Sequence, residues 1–207
     1  MNNTLITDLQ RIHVRILTDA PANLNLNPFL SIFGRWRSEK DHPAGWVDLA
    51  DYAHVPRGMG VVLVGFQANF AFDMTDDDGR SAPGILYAAK KGLAGTPADR
   101  IASVLKSCLE LSQRLIAEKE FPPGVHLRTD ALEIRFADRL VTPNTKETYE
   151  ELCPAVLKVL DRLFGTSTSG CYNLVPGSDL AQVLGCSVRA KKSEPLETLQ
   201  KRLSGNG

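Results

Sequence analysis

The densest group of reactive side chains in this sequence lies in residues 48–60. The segment contains two carboxylates, a phenol, an imidazole and a guanidinium, on Asp48, Asp51, Tyr52, His54 and Arg57. Asp51 precedes His54 by three residues, so its carboxylate could orient the imidazole and leave the other ring nitrogen as a general base or a ligand. Asp51 and His54 are therefore our candidate catalytic residues, and Arg57 is a candidate for binding an anionic ligand. The structural alternative is a polar turn in which Asp51 caps the backbone and His54 bonds a main-chain carbonyl.

A second polar segment, residues 138–144, joins a predicted strand to a predicted helix. Arg139 would lie beside the free N–H groups at the helix start, where an anion can bind. The same residues also fit an Asp138–Arg139 turn with Asn144 as the helix cap. Arg139 and Asn144 are our candidate ligand-binding residues here, and we hypothesise a pocket that this segment shares with residues 48–60.

The sequence lacks the patterns of a metal site and of covalent catalysis. His13, His42 and His126 lie in unrelated segments, and no two histidines have the helical spacing of a metal-binding pair. The four cysteines include no C-x-x-C pair, and no serine lies in a G-x-S-x-G elbow. We therefore predict no metal site, and the sequence does not determine whether another cofactor is used.

Two stretches resemble a family of uncharacterised bacterial proteins. They are residues 47–61, VDLADYAHVPRGMGV, and residues 138–145, DRLVTPNT. That family has a D-V-A-D-Y-x-H-V-P-x-G-P-G-V segment, a G-L-L-Y strand and a D-R-L-x-x-P-N segment. The strand matches residues 84–87 here, and the likeness runs from about residue 28 to residue 165. The chain differs at Leu49 and Met59, where the family pattern has Val and Pro.

No activity is assigned to that family, so the resemblance implies one domain and marks positions without naming a reaction. The marked positions are Asp51, His54, Arg139 and Asn144. From the matching strand we add Tyr87 as a candidate ligand-binding residue.

The elements that would position these groups indicate an α+β fold. Apolar runs and alternation predict strands at about residues 9–17, 46–50, 60–66, 69–73, 84–89, 125–129, 131–137, 170–175 and 186–191. The first of these also fits a helical stripe, but its β-branched residues at alternate positions favour a strand. Apolar residues spaced by three and four predict long helices over 96–120 and 145–164, a short helix over 28–39 and a terminal helix from 194. Pro154 is expected to kink or split the second long helix. We predict a mostly antiparallel sheet packed by two long helices, in a single domain over residues 1–207 with a peripheral tail at 193–207.

Composition and charge limit the classes of partner. Lys plus Arg and Asp plus Glu both number 24, whereas a nucleic-acid-binding protein usually carries a basic excess. The longest apolar runs, such as residues 61–64, are too short to span a bilayer, and the N-terminus has neither the basic start nor the apolar run of a signal peptide. Reduced, buried cysteines fit a cytosolic protein. We expect a cytoplasmic protein without a nucleic-acid or membrane partner.

Two classes of function remain open. The first is a small-molecule-binding domain or enzyme, with a polar pocket near residues 48–60 and 138–144. The alternative is a non-catalytic module that forms a homo-oligomer or docks on a partner, with both segments serving the scaffold. Zero net charge and an open sheet edge would favour self-association. The sequence alone does not decide whether the chain is an enzyme.

Overall fold

The computed structural model describes residues 6, 8–39, 41–55, 58–75, 82–165, 172–176 and 183–205. In that part of the chain, eight strands form one sheet in the order β2-β3-β4-β5-β1-β6-β8-β7, and all neighbouring pairs are antiparallel. The strands are β1 (Ile12–Thr18), β2 (Trp46–Tyr52), β3 (Gly60–Gly65), β4 (Ala68–Asp73), β5 (Gly84–Ala89), β6 (Leu127–Phe136), β7 (Tyr172–Pro176) and β8 (Leu184–Ala190). The predicted α+β class with a mostly antiparallel sheet is confirmed.

Four helices among the described residues pack on one face of this sheet. They are α1 (Asn27–Arg37), α2 (Pro97–Ile116), α3 (Lys146–Phe164) and α4 (Leu196–Ser204). Helices α2, α3 and α4 cover β1, β6 and β8 with aliphatic side chains. Helix α1 covers β3 and β4 with aromatic ones, and Phe29 stacks on Phe72 with ring centroids 4.1 Å apart. Because burial of apolar surface stabilises a fold, this helical face holds the core.

Capping side chains fix where the two longest helices begin. Thr96 and Asp99 form a reciprocal capping box at the start of α2: each accepts a hydrogen bond from the backbone N–H of the other. The cap of α3 is Thr145, which accepts from the N–H of Thr148 at 3.2 Å. The expected cap at Asn144 is therefore wrong by one residue.

Two further expectations need correction. The strands expected at 125–129 and 131–137 form the single strand β6, because the turn lies earlier, at Gly124 with φ +85°. Helix α3 is not split at Pro154, because the missing N–H removes only one helical bond. The terminal helix α4 buries three leucines against α2 and α3: Leu196, Leu199 and Leu203.

Strand β1 lies in the middle of the sheet, between β5 and β6, and its two faces differ in character. Ile12, Val14 and Ile16 belong to the core under the helices. Side chains alternate along a strand, so His13 and Arg15 point to the opposite side of the sheet, which we call the open face. No described helix is long and apolar enough to cross a membrane.

Candidate functional site

A cavity of about 210 Å³ lies on the open face, and we call it the open-face cavity. It is lined by side chains from β1, β4, β5 and β6 and from two loops: His13, Arg15, Met59, Asp73, Thr75, Leu86, Glu133 and Arg135. Five of these eight residues are titratable. A cavity with several convergent ionisable groups is the feature expected of a binding site.

Four of the lining residues form a chain of alternating charges, which we call the charge cluster. Arg15 Nη1 lies 3.4 Å from Asp73 Oδ2 and 3.6 Å from Glu133 Oε2, and Arg135 Nη2 lies 3.1 Å from Glu133 Oε2. The side chains of Arg15, Asp73 and Glu133 are only 3%, 5% and 11% exposed. Charges are this buried in proteins only when they are paired, so the pairing is essential to the fold of the open face.

Strand register brings the cluster together. Arg15 is directly opposite Glu133, and His13 is directly opposite Arg135, because β1 and β6 run antiparallel. Directly opposite side chains on one face lie in contact. Asp73 is at the end of β4, so Arg15 reaches it by extending across the intervening strand β5.

Two glycines make room for the two arginines. A Cβ at Gly84 of β5 would lie 3.0 Å from both Cγ and Nε of Arg15, and a Cβ at Gly185 of β8 would lie 3.2 Å from Cγ of Arg135. Glycine inside a strand is unfavourable unless another group approaches closely. Each glycine therefore lets an arginine side chain lie along the sheet, within reach of a carboxylate.

The guanidinium of Arg15 is only partly satisfied. Its Nη2 donates to the carbonyl oxygens of Thr75, at 2.9 Å, and Ala82. Its Nε and Nη1 are buried and have no hydrogen-bond acceptor among the described residues, and the contacts of Nη1 with the two carboxylates lack hydrogen-bond geometry. Buried donors without acceptors are rare in native structures. Two buried donors of this cavity-lining residue thus lack an acceptor among the described residues.

Asp73 has an unusual environment for a carboxylate. Burial raises its pKa, and this outweighs the opposing effects of Arg15 and of the hydrogen bonds from Thr75. Thr75 donates both its hydroxyl and its backbone N–H, the latter at 3.0 Å, to Oδ1 of Asp73. The carboxyl group is thus fixed in position with Oδ2 directed towards Arg15.

His13 provides an uncharged polar group in the same cavity. Burial, helped by the nearby positive charges of Arg135 and Arg11, lowers the pKa of His13 to about 4. The imidazole is therefore neutral near pH 7, with one nitrogen that donates and one that accepts.

Replacement of His13 by glutamine is expected to reduce the loss of stability on acidification. The folded-state pKa of about 4 lies below the unfolded value of about 6.5. The unfolded state therefore takes up a proton first, and stability falls as the pH drops from about 6.5 to about 4. Because the imidazole keeps some solvent contact, we expect the variant to avoid roughly 2 kcal/mol of this loss.

Urea unfolding between about pH 7 and pH 4 measures the effect, with His126→Gln, at an exposed position, as the matched control. A His13→Gln variant that loses stability as steeply as the wild type would contradict this account.

The structure places Asp51 and His54 on the surface at the β2–β3 hairpin. Oδ1 of Asp51 accepts a hydrogen bond from the N–H of Ala53 at 2.9 Å, which is the backbone-capping contact of the structural alternative. Among the described residues, no hydrogen bond joins Asp51 to His54. Their catalytic role stays a prediction, and Arg57 lies outside the described residues.

The two polar segments do not share a pocket. Tyr52 pairs with Gly60 at one end of the sheet, whereas Phe136, which precedes the 138–144 turn, pairs with Ile12 at the other end. Four strands separate β2 from β6, a span of roughly 24 Å at the usual strand spacing. One small ligand cannot contact both polar segments, so the prediction of a shared pocket is wrong. Arg139 is exposed and Asn144 is half-buried in that turn.

Tyr87 lies on the helical face, away from the charge cluster. It lines a separate cleft of about 300 Å³ whose other members include His42, Gln67, Ser107 and Arg114. Burial raises the pKa of its phenol, and a hydrogen bond with Ser107 opposes that effect. Of the 48–60 segment, Met59 lines the open-face cavity.

Sequence reasoning missed all five titratable members of the cavity as site residues: His13, Arg15, Asp73, Glu133 and Arg135. His13 with Arg15, and Glu133 with Arg135, occur at alternate positions of predicted strands, and such a pattern is usually the solvated side of a sheet. The available signal was the glycine in each neighbouring strand, Gly84 and Gly185, because a strand glycine often marks a close approach.

The environment of Cys108 disfavours the reactive form of its thiol. Burial raises the pKa of the Cys108 thiol to about 12, so the reactive thiolate is scarce at neutral pH. The residues that the structure describes include no group of three His, Cys, Asp or Glu side chains placed to hold a metal ion.

Comparison of this chain with models of protein families, with curated proteins and with solved structures finds no match. Function must therefore be inferred from the open-face cavity and its chemistry.

Proposed function

We propose that this chain binds a small molecule in the open-face cavity, through a carboxylate or phosphate oxygen that accepts hydrogen bonds from Arg15. The observation that carries the proposal is the pair of buried donors, Nε and Nη1, without a hydrogen-bond acceptor among the described residues. A guanidinium presents its donors in a planar fork that matches carboxylate and phosphate groups. Arg15 is the central cation of the charge cluster, so such a ligand would complete its coordination.

Cavity size supports a small ligand. At about 30 Å³ for each water-sized group, 210 Å³ holds roughly seven such groups. The walls include the apolar side chains of Met59 and Leu86 beside the charged ones. This combination of apolar wall and a few fixed polar groups is typical of small-molecule sites.

We propose binding rather than catalysis because of the protonation state of His13. General acid–base catalysis works best when the pKa of the catalytic group lies near the working pH. With a pKa of about 4, His13 is a weak base near pH 7. It is better suited to hydrogen bonding with a ligand.

Native mass spectrometry of freshly purified protein, compared with the denatured sample, tests the proposal. We expect an excess mass that disappears on denaturation and that is lost from an Arg15→Lys variant. Lysine keeps the charge but lacks the Nε donor and the planar fork. Arg128→Lys, at an arginine 46% exposed and outside the cavity, is the matched control. The proposal is overturned if the Arg15→Lys variant retains the excess mass. It is also overturned if no bound mass is found and small carboxylates and phosphates do not raise the thermal stability of the protein.

One observation favours the alternative of self-assembly. Tyr52, Val55 and Met59 of the β2–β3 hairpin are 43%, 41% and 39% exposed, and neighbouring exposed apolar side chains often mark an interface. The same native spectrum tests this alternative, because a homo-oligomer has a multiple of the chain mass. A mass of one chain at high protein concentration would count against it.

A further inference from the structure

Among the described residues that line the open-face cavity, the charges sum to zero. Arg15 and Arg135 are positive, and Asp73 and Glu133 are negative when ionised. The fifth titratable group, His13, is neutral near pH 7 because burial lowers its pKa to about 4. Along the charge cluster the signs alternate, at separations of 3.1 Å to 3.6 Å. A ligand with a net charge would therefore upset the charge balance of these described lining residues.

An uncompensated charge is costly where the side chains are nearly excluded from water. A simple carboxylate would satisfy Arg15, but it would also lie beside the carboxylates of Asp73 and Glu133, which flank that arginine. A zwitterion avoids this repulsion because it brings its own cation. Its ammonium group has only donors, and carboxylate oxygens are the acceptors that suit it.

The spacing of the cluster also suits a molecule whose two charges are close together. The carboxylates of Asp73 and Glu133 lie within 3.6 Å of the same nitrogen of Arg15. A single carbon atom separates the ammonium group from the carboxylate in an α-amino acid. Such a molecule can contact Arg15 and a neighbouring carboxylate at once, whereas a long molecule with distant charges cannot.

The remaining wall of the cavity is apolar. Met59 and Leu86 line it beside the charge cluster. A volume of about 210 Å³ leaves space beyond the two charged groups for a short side chain only, at about 30 Å³ for each water-sized group. An apolar side chain gains free energy by packing there, whereas a polar one would lose its water.

We infer that the ligand is a zwitterionic α-amino acid with a short apolar side chain, bound by its carboxylate to Arg15 and by its ammonium group to Asp73 and Glu133. This inference rests on the proposed function and adds the charge pattern and size of the ligand.

Titration calorimetry of the full chain with three matched sets of compounds tests the inference. Each set contains an amino acid, the acid that lacks its amino group and the amine that lacks its carboxylate. The sets are alanine with propionate and ethylamine, valine with 3-methylbutanoate and isobutylamine, and leucine with 4-methylpentanoate and isoamylamine. In at least one set we expect the amino acid to bind about ten-fold or more tightly than either partner compound, since a lost hydrogen bond to a charged group costs at least that factor.

The outcomes separate this inference from the proposed function. If an acid binds as tightly as its amino acid, the zwitterion is excluded while the carboxylate site on Arg15 stands. If no compound binds but native mass spectrometry detects another bound molecule, the amino-acid class is excluded and the cavity still binds a ligand. If no compound binds, no bound mass is found and small carboxylates and phosphates give no thermal stabilisation, both proposals fail.

A Glu133→Gln variant tests the position of the ammonium group. The substitution nearly preserves shape but removes one negative charge, so we expect the preference for the amino acid over its matched acid to fall about ten-fold. This preference is a ratio measured on one sample, so it does not depend on how much of the variant is folded. Glu110→Gln, at a glutamate 54% exposed on α2, is the matched control. An unchanged preference in Glu133→Gln would overturn the assignment of the ammonium site.

Discussion

Replacement of Arg15 by methionine is expected to lower the free energy of unfolding by about 3–5 kcal/mol, because it breaks a buried ion-pair network by removing its central cation. Asp73 and Glu133 would keep their nearly complete burial, but Asp73 would lose its cationic partner. Methionine is close to arginine in length and fills space adaptably, so the main loss is electrostatic. Urea unfolding at about pH 7 measures the change.

Arg35→Met is the matched control for this experiment. Arg35 also contacts two carboxylates, those of Glu118 at 2.6 Å and Glu120 at 2.8 Å, but its side chain is 47% exposed. Exposed ion pairs contribute about 1 kcal/mol or less. If both variants lose the same free energy of unfolding, burial does not make the ion pairs of Arg15 more important for stability than the exposed ion pairs of Arg35.

The cost of Arg15→Met is also expected to shrink as the pH falls. Burial already raises the pKa of Asp73 above its ordinary value, and Arg15 opposes the rise. Without Arg15 the folded-state pKa moves further above the unfolded value, so the folded variant binds the extra proton. Lower pH then favours the folded state of the variant. A cost that stays constant between about pH 7 and pH 4 would show that lost packing, and not charge, dominates.

Gly84→Ala is expected to destabilise the protein by roughly 3 kcal/mol through overpacking. The new Cβ would lie 2.7 Å from the backbone oxygen of Ile16 and 3.0 Å from the Cγ and Nε of Arg15. The oxygen belongs to the neighbouring strand and cannot move without disturbing the ladder, and the arginine cannot move without leaving Asp73. The expected loss therefore combines backbone strain with damage to the charge cluster. Urea unfolding measures it.

Gly34→Ala is the matched control and should change stability in the opposite direction. Gly34 lies inside α1, and its Cβ would meet only Cδ2 of Leu49, at 4.0 Å, which is an ordinary contact. Alanine in a helix interior is favoured over glycine by about 1 kcal/mol. If Gly84→Ala proves as harmless as Gly34→Ala, the close approach of Arg15 to β5 is not the reason for the glycine.

Much of the local structure was predictable because it depends on nearby residues alone. Alternation of Ile12, Val14 and Ile16 with His13 and Arg15 identified β1, although a helical stripe also fits that segment. Apolar residues spaced by three and four identified α2 and α3, and the capping residues Thr96 and Asp99 were evident in the sequence. The α+β class followed from these elements.

The candidate site was not predictable in the same way, and the two polar segments show why. Residues 48–60 and 138–144 contain the most conspicuous groups of polar side chains. The first segment comprises most of the edge strand β2 and the turn after it, the second is the turn after β6, and the two turns lie at opposite ends of the sheet. A dense run of polar residues indicates contact with solvent as readily as it indicates a site. The charges that are buried instead occur singly, in strands that are 40 or more residues apart in the chain.

By itself the sequence determined the elements, the face of each strand that is apolar, and the zero net charge. Only the tertiary structure decided that β1 lies between β5 and β6, that Arg15 is opposite Glu133, and that Gly84 lets Arg15 reach Asp73. The physical reason is that side-chain periodicity is a local property of the backbone. Strand order, register and burial arise from contacts between distant segments, and these contacts bring the two arginines and the two carboxylates into one cavity.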